Sequence, residues 1–101
     1  MSRPTGEALD DAAIGERLRL TREALSLKQR EFAMKAGMAS NTYNQFERGT
    51  KSLSIRKALA LCDAYDLTLD WLYRDDPSNL PWGLGDAIRT IKETRQLSNL
   101  R

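Results

Sequence analysis

The sequence predicts an all-α fold in which five helices form a core and a further amphipathic helix follows near the C-terminus. Apolar residues recur at helical spacing in at least five places, whereas no segment of useful length alternates with the period of two typical of a strand. Glycine and proline lie where the helical patterns stop. The chain has 101 residues, 41% hydrophobic and 30% charged, so we expect one small domain with a single apolar core.

The first predicted helix begins near Asp10 or Asp11, whose carboxylates suit a helix N-terminus. Its inward stripe contains four residues at helical spacing: Ile14, Leu18, Thr21 and Leu25. The segment ALSLKQ, residues 24–29, then interrupts the pattern and separates this helix from the next.

The next two helices are short and close together. One extends from about Lys28 to Ala36 and is followed by Gly37, which readily takes the left-handed conformation found after a helix. The other extends from about Ser40 to Arg48 and stops at Gly49. The positions that would face inward across this pair are apolar or small: Phe32, Ala33, Met38, Tyr43 and Phe46. This pattern across a short glycine-containing turn predicts a helix-turn-helix.

Two further helices complete the predicted core. Ser54 is a suitable N-cap for the fourth. The inward face of that helix is predicted to consist of Ile55, Ala58, Leu59 and Cys62. Thr68 caps a fifth, short helix from Leu69 to Tyr73, which we expect to bury Leu72 and Trp71.

The segment RDDPSNLP, residues 74–81, contains two prolines and an Asx-rich turn, and we predict that it is a hinge. The predicted domain is therefore residues 1–76, with its core at 11–73, and residues 77–101 form the hinge and a C-terminal helix. That helix, from Trp82 to about Leu97, has an apolar stripe formed by Leu84, Ile88 and Ile91. A stripe detached from the core needs a partner surface, so our first expectation is a homodimer. The alternative, in which the stripe folds back on its own domain, stays open.

Charge is unevenly distributed although the net charge is only +2. Residues 15–62 contain ten Lys and Arg against four Glu, whereas residues 63–86 contain six Asp against one Arg. A basic half of this kind suggests contact with a polyanion, although a solvated surface has the same composition.

The composition argues against several classes of function. With one cysteine, Cys62, and no histidine, the chain offers no internal disulfide, no His/Cys metal cluster and no imidazole acid or base. The adjacent Asp75 and Asp76 suit a solvated turn better than a metal site, and we expect neither an enzyme nor a cofactor. No apolar run approaches the ~20 residues of a membrane span, and the first residues lack a signal peptide's apolar stretch. We therefore expect a cytoplasmic protein with no membrane partner.

Three segments within residues 14–72 carry a family resemblance: IGERLRLTREALSLKQREFA, AGMASNTYNQFERG and LSIRKALALCDAYDLTLDWL. They resemble the Cro/CI phage-repressor type of DNA-binding domain, also called the XRE family. The resemblance implies a five-helix lambda-repressor-like domain whose third helix enters the major groove of double-stranded DNA. It also implies a dimeric transcriptional regulator on a palindromic operator.

The resemblance assigns DNA contacts to particular residues. Asn and Gln can bond adenine bidentately and Ser can serve several bases, which suits the start and outer face of the third helix. The expected base-reading residues are Ser40, Asn41, Asn44 and Gln45. Phosphates would be held near the start of the second helix and after the third, by Lys28, Gln29, Arg48, Thr50, Lys51 and Arg56. The resemblance also pairs Glu47, at the end of the third helix, with Arg22 on the first.

The chain departs from the family pattern at the start of two helices. Where members usually carry Ser or Thr, this chain has Lys28 and Ala39. Each helix therefore lacks its expected N-cap unless Ser26 or Ser40 substitutes for it.

These observations predict a sequence-specific DNA-binding transcriptional regulator, and a repressor rather than an activator because the chain has no room for a sensor domain. The alternative is an antitoxin or antiactivator that reuses the fold and binds another protein. The acidic segment would serve that second role together with three aromatic residues near the hinge: Trp71, Tyr73 and Trp82. A salt-dependent shift on operator DNA separates the two functions.

Overall fold

The computed structural model describes residues 8–99, which are mostly helical. Six helices lie within residues 11–99: α1 (Asp11–Ala24), α2 (Gln29–Lys35), α3 (Ser40–Arg48), α4 (Ile55–Tyr65), α5 (Leu69–Arg74) and α6 (Leu84–Asn99). The described residues contain no strand, so the all-α prediction is confirmed. None of the helices in that part of the chain is long and apolar enough to cross a lipid bilayer.

Two of the predicted N-caps are present, and so are both predicted glycine stops, since Gly37 and Gly49 each have a positive φ. The Ser54 hydroxyl accepts a hydrogen bond from the backbone N–H of Lys57 at 3.2 Å, and the Thr68 hydroxyl accepts one from Trp71 N–H at 3.0 Å. Gly49 ends α3 with a φ of 74°, in the left-handed region that favours glycine. Local sequence signals therefore set these boundaries of the helices.

The two departures from the family pattern are compensated only in part. Neither Lys28 nor Ala39 caps its helix through a side chain. The carboxylate of Glu31 instead reaches back and accepts a hydrogen bond from the backbone N–H of Lys28 at 3.0 Å. Ser26 lies before the helix with a φ of 59°, and Ser40 is already the first residue of α3, so neither replaces the missing cap.

The helix pair α2 and α3 faces the core as the sequence predicts. All five expected inward residues are buried: Phe32, Ala33, Met38, Tyr43 and Phe46. The ring of Phe32 stacks on Tyr65 of α4 with 4.4 Å between ring centroids, and the Tyr65 hydroxyl donates to the Phe32 carbonyl at 2.9 Å. These contacts fix the helix-turn-helix against α4.

The predicted inward face of α4 is wrong for two of its four residues. Ile55 is 55% exposed and Leu59 is 46% exposed, whereas Ala58 and Leu61 are buried. The sequence of α4 carries two overlapping apolar stripes, one through Ile55 and Leu59 and one through Ala58 and Leu61. Periodicity alone does not select between them, and the structure buries the second.

A polar contact inside the core joins α1 to α5. The indole N–H of Trp71, which is 1% exposed, donates to the Thr21 hydroxyl at 2.9 Å. The Arg17 guanidinium donates through Nε to the Leu72 carbonyl at 3.0 Å and also contacts the Ala8 carbonyl. Burial lowers the pKa of Arg17, and the negative charge of Asp75 opposes that shift. Arg17 is therefore a structural residue of the core and is not available to a DNA surface.

The C-terminal helix is attached to the domain, which corrects the first expectation for this element. Leu84 is 8% exposed and Ile88 is 2% exposed, and both belong to the same apolar cluster as the core, with Ile91 packed against its edge. Arg95 pairs with Glu16 at 2.9 Å and also with Glu23, both on α1. The stripe is covered by its own domain, so Leu84 and Ile88 do not form an exposed dimer surface.

The hinge segment, residues 74–81, is itself folded, which explains why α6 packs on its own domain. Asp76 Oδ1 accepts hydrogen bonds from the backbone N–H of Ser78 at 3.0 Å and from its hydroxyl at 2.5 Å. Leu80 packs against the core. A segment held in this way directs α6 back onto α1, where the apolar stripe is buried without a second chain.

Candidate nucleic-acid interface

The outer face of α3 presents a continuous polar surface. Tyr43 and Phe46 point inward and are 0% and 2% exposed. Of the four predicted base-reading residues, Asn41 and Gln45 lie on the opposite side of the helix and are exposed, whereas Ser40 and Asn44 lie at its flank and are half-buried. The helix is therefore anchored by its aromatic side and offers amides and a hydroxyl outward.

The side chain of Glu47 anchors α3 to the scaffold. It accepts two hydrogen bonds from Arg22 on α1, Nε to Oε2 at 2.7 Å and Nη2 to Oε1 at 3.1 Å. The Tyr43 hydroxyl donates to Oε2 at 2.5 Å and the Gln29 amide donates to Oε1 at 3.0 Å. Arg22 also donates to the Leu27 carbonyl at 3.0 Å, which ties in the loop before α2. One carboxylate therefore joins α1, α2 and α3.

The electrostatics of this cluster favour the ionised pair. Burial raises the pKa of Glu47, but hydrogen bonds from Arg22, Tyr43 and Gln29 outweigh it and hold that pKa below its ordinary value. The bond to Glu47 raises the pKa of Arg22. Burial, reinforced by the neighbouring carboxylate, raises the pKa of Tyr43, so its phenol stays a donor.

Gln29 lies at the first position of α2, as its predicted role requires, but its side chain is engaged within the protein. Its side-chain nitrogen lies 3.0 Å from Glu47 Oε1 and 3.0 Å from Asn44 Oδ1. The side chain therefore bridges α2 and α3, while the backbone N–H of Gln29 belongs to the first turn of α2, where orphan donors suit a phosphate. Asn44 uses its carbonyl in this bridge and so does not offer the free amide that a bidentate adenine contact needs.

The predicted phosphate-binding residues lie at the start of α2, at the end of α3 and from there to the first turn of α4. Four of them carry charge and are exposed: Lys28, Arg48, Lys51 and Arg56. The Thr50 hydroxyl donates to the Gln45 carbonyl at 3.3 Å, so it helps to close α3. Lys51 Nζ lies 6.0 Å from the centroid of the Phe46 ring. Arg56 lies in the first turn of α4. Arg48 and Lys51 thus lie at the end of α3, and Lys28 immediately precedes α2.

Sequence reasoning missed three parts of this site. Gly15 lies where α1 crosses the end of α3, since a Cβ there would be 2.3 Å from the Glu47 carbonyl oxygen. Tyr43 was identified only as a core residue, although its spacing of four from Glu47 places both on one side of a helix. The bridge from Gln29 to Asn44 joins residues fifteen positions apart, for which local spacing offers no signal.

A helix-turn-helix family model matches residues 18–72, which is more than half of the chain. The chain belongs to the Cro/CI-type helix-turn-helix (XRE) family. This family is a DNA-binding family of transcriptional regulators and is not typically enzymatic. Searches of the curated proteins and of the solved structures found no match.

The matched region of this Cro/CI-type protein contains α2 to α4 and parts of α1 and α5, and α6 lies outside it. Within residues 8–99, no group of three or more His, Cys, Asp or Glu side chains is arranged to hold a metal ion.

Proposed function

We propose that the protein is a sequence-specific transcriptional regulator that reads the major groove with α3. The observation that carries this proposal is the Glu47 cluster, which fixes the polar face of α3 relative to α1 and α2. A rigid recognition helix loses little conformational entropy on binding, and the cations at its end and before α2 supply attraction to phosphate. Occupancy of a promoter by such a domain suffices for repression, and a regulator of this kind acts in the cytoplasm.

We further propose that the protein binds a palindromic operator as a homodimer, because one domain of this size covers only a few base pairs. Because the apolar stripe on α6 is buried in its own domain, other exposed apolar side chains form the dimer contact. Ile55 and Leu59, one turn apart on α4, are 55% and 46% exposed. This pair is the surface we favour.

Selection of bound sequences from a random DNA pool tests the proposed DNA reading. We expect a defined half-site, and the Gln45→Ala variant should lose preference at one or two positions, at a cost of about 1–3 kcal/mol on the selected site. Its binding to random DNA should change little. Equal losses on selected and random DNA would remove Gln45 from the base-reading set, and failure to enrich any sequence would contradict the proposed function.

Light scattering tests the dimer. The intact chain should be dimeric at high concentration or on its operator, and Leu59→Glu should weaken that dimer. Leu97→Glu is the matched control, since Leu97 is 67% exposed near the end of α6. A chain that stays monomeric with and without DNA contradicts the dimer, and equal effects of both variants contradict the α4 surface.

A second candidate function is binding of a partner protein, as in an antitoxin or antiactivator. Trp82 is 97% exposed and borders an open cleft of about 590 Å³, whose other lining residues include Pro77, Leu80 and Pro81. An exposed tryptophan beside prolines suits protein recognition. If this is the main function, Trp82→Ala abolishes activity in cells while leaving the affinity for selected DNA unchanged.

A further inference from the structure

The Asn44 side chain lies at the end of a chain of hydrogen bonds that begins at Arg22. Arg22 donates twice to Glu47, Glu47 Oε1 accepts from Gln29 Nε2 at 3.0 Å, and the same nitrogen lies 3.0 Å from Asn44 Oδ1. Asn44 is half-buried at the flank of α3, beside the exposed Gln45. The inner side of its amide is therefore engaged, and the outer side faces the proposed groove.

The chemistry of these groups fixes the direction of each bond. A carboxylate held by Arg22 only accepts hydrogen bonds, so the amide of Gln29 must turn its NH₂ group toward Glu47. The second hydrogen of that NH₂ group points at Asn44, which must therefore present its carbonyl oxygen. A reversed Asn44 amide would place two NH₂ groups opposite each other with no acceptor between them. The NH₂ group of Asn44 is thereby directed outward.

We propose that the ion pair between Arg22 and Glu47, acting through Gln29, makes Asn44 a hydrogen-bond donor toward DNA and so sets its base preference. This inference rests on the proposed DNA-binding function. In the major groove, guanine (O6 and N7), thymine (O4) and adenine (N7) each present an acceptor, whereas cytosine presents only the N4 donor. Asn44 in this orientation binds a base that offers an acceptor and rejects cytosine. Gln29 is a positioning residue, because it acts through Asn44.

The half-site position that Asn44 reads is located first. Sequences selected by the intact wild-type chain are compared with those selected by Asn44→Ala, and the position that loses its preference is assigned to Asn44. Oligonucleotides with each of the four bases at that position are then compared in competition. We expect guanine or thymine to be favoured about fivefold or more over cytosine, whereas adenine, with an acceptor at N7 and a donor at N6, is compatible with either orientation of the amide. Cytosine bound as well as or better than guanine and thymine overturns the proposal.

Gln29→Glu then tests the relay itself. The new carboxylate accepts from the Asn44 NH₂ group, so the amide reverses and its oxygen faces the groove. We expect the preference at the assigned position to invert, so that cytosine, whose N4 amino group donates to that oxygen, is favoured over guanine and thymine. A merely structural role for Gln29 lowers the affinity for every sequence alike and leaves the order of the four bases unchanged, and that result overturns the proposal.

A second variant covers the case in which two neighbouring carboxylates destabilise the fold. Gln29→Met is similar in length but makes neither hydrogen bond, so Asn44 can present either edge and the ratio of affinities for guanine or thymine over cytosine should fall toward one. Circular dichroism verifies folding of both variants, and Arg89→Ala on α6 serves as a control that keeps the wild-type preference. An unaltered ratio in folded Gln29→Met also overturns the relay. If the wild-type chain selects no sequence at all, the proposed function fails, and the relay fails with it.

Discussion

Glu47 concentrates more interactions than any other side chain at the α3 interface. Four hydrogen bonds from Arg22, Gln29 and Tyr43 reach it, and its side chain is only 6% exposed. Removal of one charge from such a pair leaves the other uncompensated, which costs far more than the pair contributes relative to an apolar replacement. The carboxylate is therefore the most sensitive single residue of the site.

Replacement of this carboxylate by an amide tests its contribution to stability. We expect Glu47→Gln to lower the free energy of unfolding by about 3 kcal/mol, because Arg22 keeps its charge but loses its ionised partner. Urea unfolding at neutral pH measures the change. Glu16→Gln is the matched control: Glu16 pairs with Arg95 but its side chain is 50% exposed, so its loss should cost less than about 1 kcal/mol. Equal effects of the two variants would contradict a buried ionic anchor.

The lowered pKa of Glu47 makes stability depend on acid in a defined direction. The folded state binds this proton less readily than the unfolded state, so the stabilisation is fully present above the ordinary glutamate pKa of about 4.3 and is lost as pH falls through the lowered value. Urea midpoints between neutral and strongly acidic pH should show this loss in the wild type. The profile of Glu47→Gln should lack this component, and parallel profiles would show that other carboxylates cause the acid dependence.

A contact to phosphate differs from a contact to a base in its salt dependence. Arg56→Ala should weaken binding to all DNA sequences alike and reduce the slope of log affinity against log salt by roughly one, since one fewer counterion is released. Titrations at several salt concentrations measure that slope. Arg89→Ala, whose side chain is 67% exposed on α6, should leave it unchanged. A wild-type slope in Arg56→Ala would place Arg56 outside the interface.

At the scale of the element, the position of α3 depends on how closely α1 can approach it. The two helices meet at Gly15, where backbone oxygens of Phe46 and Glu47 occupy the space of a side chain. Only glycine allows this distance, which brings Arg22, two turns further along α1, within reach of Glu47.

A methyl group at this crossing should separate the two helices. A Cβ at Gly15 would lie 2.3 Å from the Glu47 carbonyl oxygen, so we expect Gly15→Ala to destabilise the fold by about 1–3 kcal/mol and to weaken DNA binding. Thermal unfolding measures the first effect. Gly85→Ala is the control, because nothing lies within 4 Å of its Cβ position in α6 and alanine favours the helix by roughly 0.5–1 kcal/mol. If Gly15→Ala were equally well tolerated, the crossing would not require glycine.

Local signals predicted the helices more accurately than the faces they bury. The C-terminus of α3 follows from Gly49, and the N-termini of α4 and α5 follow from Ser54 and Thr68, because caps and left-handed residues act within one turn. The buried face of α4 could not be chosen, since its two apolar stripes differ only in what the rest of the chain places beside them. The pair of Arg22 and Glu47 was expected from family resemblance, whereas the orientation of Gln29 depends on three-dimensional contacts.

At the scale of the whole molecule, α6 belongs to the same core as the five preceding helices. The amphipathic pattern of this helix was predictable, but the choice between a partner chain and its own domain was not, because both bury the same stripe. The folded segment at 74–81 makes that choice. Leu80 and the turn at Asp76 hold the chain close to α1, so intramolecular burial does not require association.

Deletion of α6 therefore acts on stability. A chain that ends at Asp76 loses the buried Leu84 and Ile88, and we expect its free energy of unfolding to fall by about 3 kcal/mol or more. Arg95→Ala, which removes only the ion pairs to α1, should cost less, about 1 kcal/mol, because all three side chains of those pairs remain partly exposed. Thermal unfolding followed by circular dichroism compares the three chains. A truncated chain as stable as the intact one would show that α6 contributes nothing to the core.

The two tryptophans differ so widely in surroundings that the molecule carries two separate optical reporters. Trp71 is buried with its indole bonded to Thr21, and Trp82 is almost fully solvated at the start of α6. Fluorescence from Trp82 should be red-shifted and accessible to iodide, whereas Trp71 should emit at shorter wavelength and resist quenching until the core opens. Binding at the cleft, which Trp71 also lines, would shield Trp82 from iodide without exposing Trp71, whereas unfolding would expose Trp71 to iodide, so one unlabelled sample can distinguish a partner from a loss of structure.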